Sequence, residues 1–192
     1  MRQSLPNMEP FDYSFFVTVL HLVGVAIGLG GAFFSDMLFF RSVKNGVLSL
    51  PEVRLLHTGG TFVTFGLLIL IFSGVALFFQ DPARYMDSSK FLAKMVVVAV
   101  ISFNGAVFHA VHLQTLRRLV GVKLRDSRIF AKASTGLFIS GAISVASWLS
   151  ALALGALRSL PYSLAEILYA YAVILFVASV GALVMRRSFL KG

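Results

Sequence analysis

Five apolar runs, at about residues 13–40, 56–79, 91–116, 130–156 and 162–185, set the terms on which this chain can fold. Each is near or above the ~20 residues that a helix needs to cross the hydrocarbon core of a bilayer. Hydrophobic residues make up 58% of the 192 positions and charged residues 13%, against about 25% charged in a soluble domain. The expected fold is all-α: an integral membrane bundle of five transmembrane helices, forming a single domain over 1–192. A net charge of +9 in a soluble protein would suggest nucleic acid. Here the charges fall in short loops between apolar runs, where they set orientation and meet anionic lipid. The bilayer is therefore the expected partner, and nucleic acid is not. The absence of cysteine excludes disulfides, iron–sulfur ligation and thiolate metal sites. The polar first ten residues, followed by an apolar run too long for a signal core, predict no cleavable leader.

Basic residues decide the orientation. If five helices alternate, Arg41, Lys44 and Arg54 share one side with Arg117, Arg118, Lys123, Arg125, Arg128 and Lys132, and with Arg186, Arg187 and Lys191; these are 12 of the 17 Lys and Arg. Arg2, Arg84, Lys90, Lys94 and Arg158 lie opposite or at that boundary. The positive-inside rule then puts the N-terminus outside and the C-terminus in the cytoplasm of a bacterial inner-membrane protein. Ser49-Leu-Pro51-Glu52 reads as a capping box opening the second helix, and Ser163-Leu-Ala-Glu166 repeats it at the fifth. Asp81-Pro82 stops the second helix, and an outer loop follows to Ser89. Small residues stripe the first span through Gly24, Gly28, Gly31 and Ser35, and the fourth through Gly136, Ser140, Ser144, Ser147 and Ala151. Such stripes let helices approach closely, within one chain or between copies in a homo-oligomer. Tyr and Trp near the outer ends suit an interfacial belt.

The third span, with its flanks KFLAKMVVVAVISFNGAVFHAVHLQTLRR from Lys90 to Arg118, carries Lys94, Asn104, His109 and His112. An ionisable group inside a span costs about 2.5–3.5 kcal/mol on insertion scales, so it ordinarily faces a protein interior, a cavity or a ligand. At about 100° per residue, Lys94, Gly105, His109 and His112 fall within roughly 60° of one another. With ~1.5 Å rise per residue, Asp36, His57, His109 and His112 collect about 9–16 Å from the midplane toward the basic side. His21, Lys94, Met95, Trp148 and Glu166 collect roughly 6–15 Å toward the other side by the same spacing. Simpler roles stand beside the functional ones. Asp36 and His57 can pair with Arg41 or Arg54 in the headgroup zone, and Glu166 serves the capping box. Lys94 can snorkel outward, and Asn104 suits interhelical bonding.

Three chemistries fit these groups. Haem b takes imidazole axial ligands, and His57 with His109 or His112 is the pairing at matching depth. Arg54, Arg117 or Arg118 would then serve the propionates, and Gly59, Gly60 and Gly105 would leave room for the ring. A bare transition-metal ion fits His57, His109, His112 and Asp36 as three nitrogens and one oxygen. Proton or ion transport fits histidines near both faces with Lys94, Thr61 and Thr64 lining the interior. Hydrolytic chemistry lacks an HExxH or GxSxG motif.

Leu20-His21-x-x-Gly24 followed by Gly30-Gly31, with Lys94 leading a Val-rich span that holds Asn104, resembles small bacterial membrane proteins of the copper-resistance D family over the first three spans. That resemblance implies a cytochrome-b-like helical bundle in which His21 is a candidate ligand. The reading that follows is a membrane-embedded, histidine-ligated redox protein, most simply a b-type haem electron carrier. Its cofactor-binding residues would be His57, His109, His112 and His21, and a quinol or periplasmic redox partner would make it a component of a membrane oxidoreductase. The alternatives are a metal-ion or proton transporter subunit built on the same histidines, and a structural membrane protein without cofactor.

Overall fold

The computed structural model describes residues 13–157 and 160–191. Arg2 and Arg158, assigned above to the sparsely charged side, lie outside the described residues. Among the described residues five helical stretches are long and apolar enough to cross a membrane: Tyr13–Asn45, Leu50–Phe78, Ser89–Arg118, Arg128–Ala156 and Leu164–Leu190. We label the helices α1 (Tyr13–Asn45), α2 (Leu50–Phe78), α3 (Pro82–Met86), α4 (Ser89–Val107), α5 (Leu113–Arg118), α6 (Arg128–Ala156) and α7 (Leu164–Lys191). A π-helical turn, Phe108–His112, joins α4 to α5 within the third span.

The expected spans reappear with longer ends on the basic side. α1 continues past residue 40 to Asn45, α2 starts at Leu50 rather than 56, and α7 runs beyond 185 to Lys191. Charged side chains end the apolar run but not the helix, because Lys, Arg and Glu are good helix formers. At Ser49 both halves of the capping box form: the Ser49 amide donates to Glu52 Oε2 at 2.8 Å and the Glu52 amide to Ser49 Oγ at 3.4 Å. Ser163 and Glu166 repeat it at 2.8 and 3.3 Å. The connection between α2 and α4 is not a plain loop. Asp81 Oδ1 accepts from the Arg84 amide at 3.2 Å and opens the single turn of α3.

The apolar side chains are arranged for lipid rather than for a water-excluding core. Phe72 and Phe103 are 71% and 74% exposed, and Phe62, Phe65, Phe176 and Val177 are also exposed. So many exposed large apolar side chains would be an interaction liability in water, but they suit contact with acyl chains. Small residues carry the interior. α1 and α2 meet through glycine, and a Cβ on Gly24 would lie 2.8 Å from the Leu70 amide nitrogen. α4 is tied to α6 by a reciprocal pair: Asn104 Nδ2 donates to the Ser140 carbonyl at 3.0 Å, and Ser140 Oγ donates to Asn104 Oδ1 at 2.9 Å. This is the interhelical role expected of Asn104. α7 packs along α6, where Arg186 Nε donates to Ser134 Oγ at 2.7 Å and Ser147 Oγ and Tyr171 Oη lie 2.7 Å apart.

On the basic side the two connecting loops bind each other. The Gly121 amide donates to the Leu48 carbonyl and the Leu124 amide to the Gly46 carbonyl, each at 2.8 Å. Gly46 and Gly121 have φ of 78° and 75°, a region that glycine enters without steric cost. Beneath these loops Leu48, Leu119 and Leu124 are fully buried with Leu56, Leu116 and Phe138 in one apolar cluster. A second cluster, with Val25, Leu70, Val97, Ile101 and Trp148, occupies the other half of the bundle.

Trp148 corrects the belt reading. Its side chain is completely buried, with the six-membered ring filling the space over Gly28, where any Cβ would collide with it. An aromatic near a span end reads as an interfacial anchor from sequence, but the bare backbone of α1 gives this one a deeper place.

Candidate functional site

A cavity of about 70 Å³ lies between the two apolar clusters, with walls from α1, α2, α4, the π turn and α6. α1 contributes Ala32, Ser35, Asp36 and Phe39; α2 contributes Gly60, Val63 and Thr64. The third span contributes Ile101, Asn104, Gly105, Phe108, His109 and His112, and α6 contributes Leu137, Ser140, Gly141 and Ser144. At ~10–15 Å³ per water, the space suits a few water molecules or a small ion.

Asp36 is the unusual wall residue. Its Oδ2 is buried and has no hydrogen-bond partner, and the same holds for the neighbouring Ser35 Oγ. The carboxyl rests against bare backbone, since a Cβ on Gly141 would lie 2.9 Å from Oδ1. Gly59 makes the matching space for Ser35, whose hydroxyl a Cβ there would strike. Pairing of Asp36 with an arginine of the headgroup zone, the simpler expectation, is not formed at Oδ2. A buried ionised carboxylate without a partner costs several kcal/mol or more, so a proton, water or cation must complete this group.

The π turn divides the histidines. The Leu113 amide donates to the Phe108 carbonyl, five residues back, and this wider turn rotates everything after it relative to α4. Gly105, His109 and His112 still line one cavity, as their shared face predicted, and Lys94 is not among its walls. His109 lies against α2: a Cβ on Gly60 would lie 3.2 Å from its Cε1, and its Nε2 is 3.2 Å from Thr64 Oγ1. His112 is buried and turns to α6, where a Cβ on Gly136 would lie 3.3 Å from its Cε1. Asp36 and His112 touch α6 five residues apart, about 7.5 Å along its axis. Both line the same cavity.

His57 stands apart. It is exposed on α2 and is absent from the cavity wall, although its ring centroid lies 6.3 Å from that of His109 with the planes perpendicular. The expected equal depth did not mean equal direction: Asp36 lines the cavity and His57 does not. Among the described residues no three of His, Cys, Asp and Glu come close enough to hold one metal ion. The set His57, His109, His112 and Asp36 is thus not assembled around a common point.

A haem does not fit the cavity, because pockets for ligands of drug size are about 300–1,000 Å³. Of the glycines expected to leave room for a macrocycle, Gly59 is filled by Ser35 and Gly60 by Phe108 and His109, and only Gly105 faces open space. Thr64 Oγ1 donates to the Gly60 carbonyl at 3.0 Å, which leaves its oxygen to accept from His109 Nε2. That nitrogen is then already engaged.

His21 belongs to the other half of the bundle, as expected. Its Nδ1 lies 2.9 Å from Ser73 Oγ, while the Ser73 hydroxyl donates to the Ile69 carbonyl at 2.6 Å. Glu166 is held by Ser163 and is a capping residue. Ser35, Gly141 and Ser144 are site residues that the sequence reading treated only as packing or passed over. The available signal was serine, rather than glycine or alanine, at two stripe positions.

None of the family models, curated proteins or solved structures compared with this chain matches it.

Proposed function

We propose that this is an ion-translocating membrane protein in which the cavity between α1, α2, α4 and α6 receives a proton at Asp36 and exchanges it with His112 and His109 through enclosed water. The observation that carries this reading is the buried Asp36 carboxylate oxygen without a partner, on a wall shared with two imidazoles. Intramembrane carboxylates and histidines facing a cavity are the usual elements of proton relays, and imidazole takes and returns a proton near neutral pH. The apolar clusters on either side would keep this from being an open pore. In proteoliposomes carrying an imposed pH gradient, the wild-type chain should dissipate the gradient faster than protein-free vesicles. Asp36→Asn should bring the rate down at least tenfold, toward the protein-free level. Equal rates with and without the chain would reject the proposal.

A redox reading keeps one specific support, the 6.3 Å separation of the His57 and His109 rings at the margin of α2; the copper-resistance D resemblance points instead to His21. A haem would there lie on the lipid-facing side of the bundle rather than inside it. Purified protein with a reducible Soret band that His57→Ala removes would favour this reading. A colourless preparation would end it.

The basic loops orient the chain in the proposal: N-terminus outside and C-terminus in the cytoplasm of a bacterial inner membrane. Reporter fusions within the loop of Gly121–Ser127 should signal from the cytoplasm. A periplasmic signal would invert the cavity, placing Asp36 and His112 near the outer face.

A further inference from the structure

Ser35 Oγ and Asp36 Oδ2 are both buried and both without partners, and they are consecutive residues on one wall of the cavity. Ser35 Oγ lies against Gly59 of α2 and the Asp36 carboxyl against Gly141 of α6, and each keeps oxygen lone pairs that a cation can use. We propose that this end of the cavity is a binding site for an alkali-metal cation, which competes with the proton for Asp36. The proposal rests on the reading of the cavity as an ion site, and makes its substrate class an exchange of metal cation for proton.

The donor set is the first reason. The carboxyl meets α6 at Gly141, whereas the His112 ring meets it at Gly136, so the imidazole lies about 7.5 Å away along that helix. Besides Asp36, the cavity wall carries the oxygens of Ser35 and Ser144, and those of Asn104 and Ser140, which are already hydrogen-bonded to each other and keep further lone pairs. Oxygen-only sites select hard cations, while imidazole-rich ones select transition metals.

Charge is the second reason. Among the described residues Asp36 is the only carboxylate on the cavity wall, and no lysine or arginine lines it; the other titratable groups there are His109 and His112. Uncompensated charge is expensive in a low-dielectric interior. A monovalent ion neutralises one carboxylate, and a divalent ion would leave one positive charge over. Divalent sites gather several carboxylates or carbonyls, and among the described residues no acidic or histidine cluster of three exists. Size agrees, because about 70 Å³ accommodates an ion with one or two waters.

The test uses thermal unfolding of the purified, full-length chain in detergent, followed by the single tryptophan. NaCl and KCl are compared with choline chloride at equal ionic strength. A ligand that binds only the folded state raises the midpoint by mass action, so sodium or potassium should raise it saturably by several degrees over choline. The half-saturating concentration should climb as pH is lowered, because the proton competes. Asp36→Asn should abolish the increment. Ser35→Ala, which leaves the carboxylate in place, should raise the half-saturating concentration at least threefold. Identical midpoints in sodium, potassium and choline would overturn the proposal, as would an increment that survives in Asp36→Asn. Proton flux that depends on Asp36 but involves no alkali cation would overturn the cation site while leaving the proton reading intact.

Discussion

Replacing Gly66 with valine should prevent α1 and α2 from docking and remove most of the folded protein from detergent extracts. A Cβ at this position would collide with the backbone nitrogen of Gly28 and lie 2.7 Å from the Gly24 carbonyl oxygen. Overpacking costs about 1–3 kcal/mol where side chains can yield. Here the opposing atoms are backbone on a facing helix, so the cost belongs at or above the top of that range. Without a hydrophobic force between helices in lipid, close packing of small residues holds such a pair together. Gly30→Val is the matched control, because nothing lies within 4 Å of its Cβ position, and its midpoint should stay near wild type. Size-exclusion profiles across a temperature series would read both variants. Equal tolerance of the two would mean that α1 and α2 do not meet as described.

Truncating Trp148 to alanine should cost about 3–5 kcal/mol, the range for large aromatic deletions in packed interiors. The indole is completely buried and fills the space over Gly28, so its loss leaves a void between α1 and α6 that neither backbone can close. Trp148→Phe should cost much less. The indole N–H has no hydrogen-bond partner, so removing it forfeits shape but no bond, and a buried donor left unmade is itself a penalty. Unfolding midpoints in a mild detergent would rank the three chains as wild type, Phe, then Ala. An alanine variant as stable as wild type would mean that Trp148 faces lipid after all.

The five spans were legible because hydrophobicity integrates over twenty or more residues and needs no knowledge of neighbours. The caps at Ser49 and Ser163 were legible because their chemistry is local. The Asn104 bond to Ser140 was expected in kind, since an amide in mid-span must find a partner. Direction around each helix was only partly legible. The angular sum put His109 and His112 on one face, and both line the cavity. Across the π turn at Phe108–His112, however, one ring meets α2 and the other α6, which a uniform turn does not announce. No residue type in FHAVH announces that turn, and the contacts that accompany it come from α2 and α6. Depth placed Asp36 beside His57, but depth carries no azimuth, and the structure sends one inward and the other outward. The space for Asp36 and Ser35 comes from Gly141 and Gly59 on other helices, pairings that a linear reading has no means to see.

That division between an inward carboxylate and an outward imidazole makes the decisive comparison simple. Gradient dissipation is measured in proteoliposomes holding equal amounts of Asp36→Asn or His57→Ala, with both variants checked for folding by size exclusion. A function seated in the cavity predicts that Asp36→Asn falls at least tenfold and His57→Ala stays within twofold of wild type. Full activity in Asp36→Asn, with the loss appearing in His57→Ala instead, would contradict it.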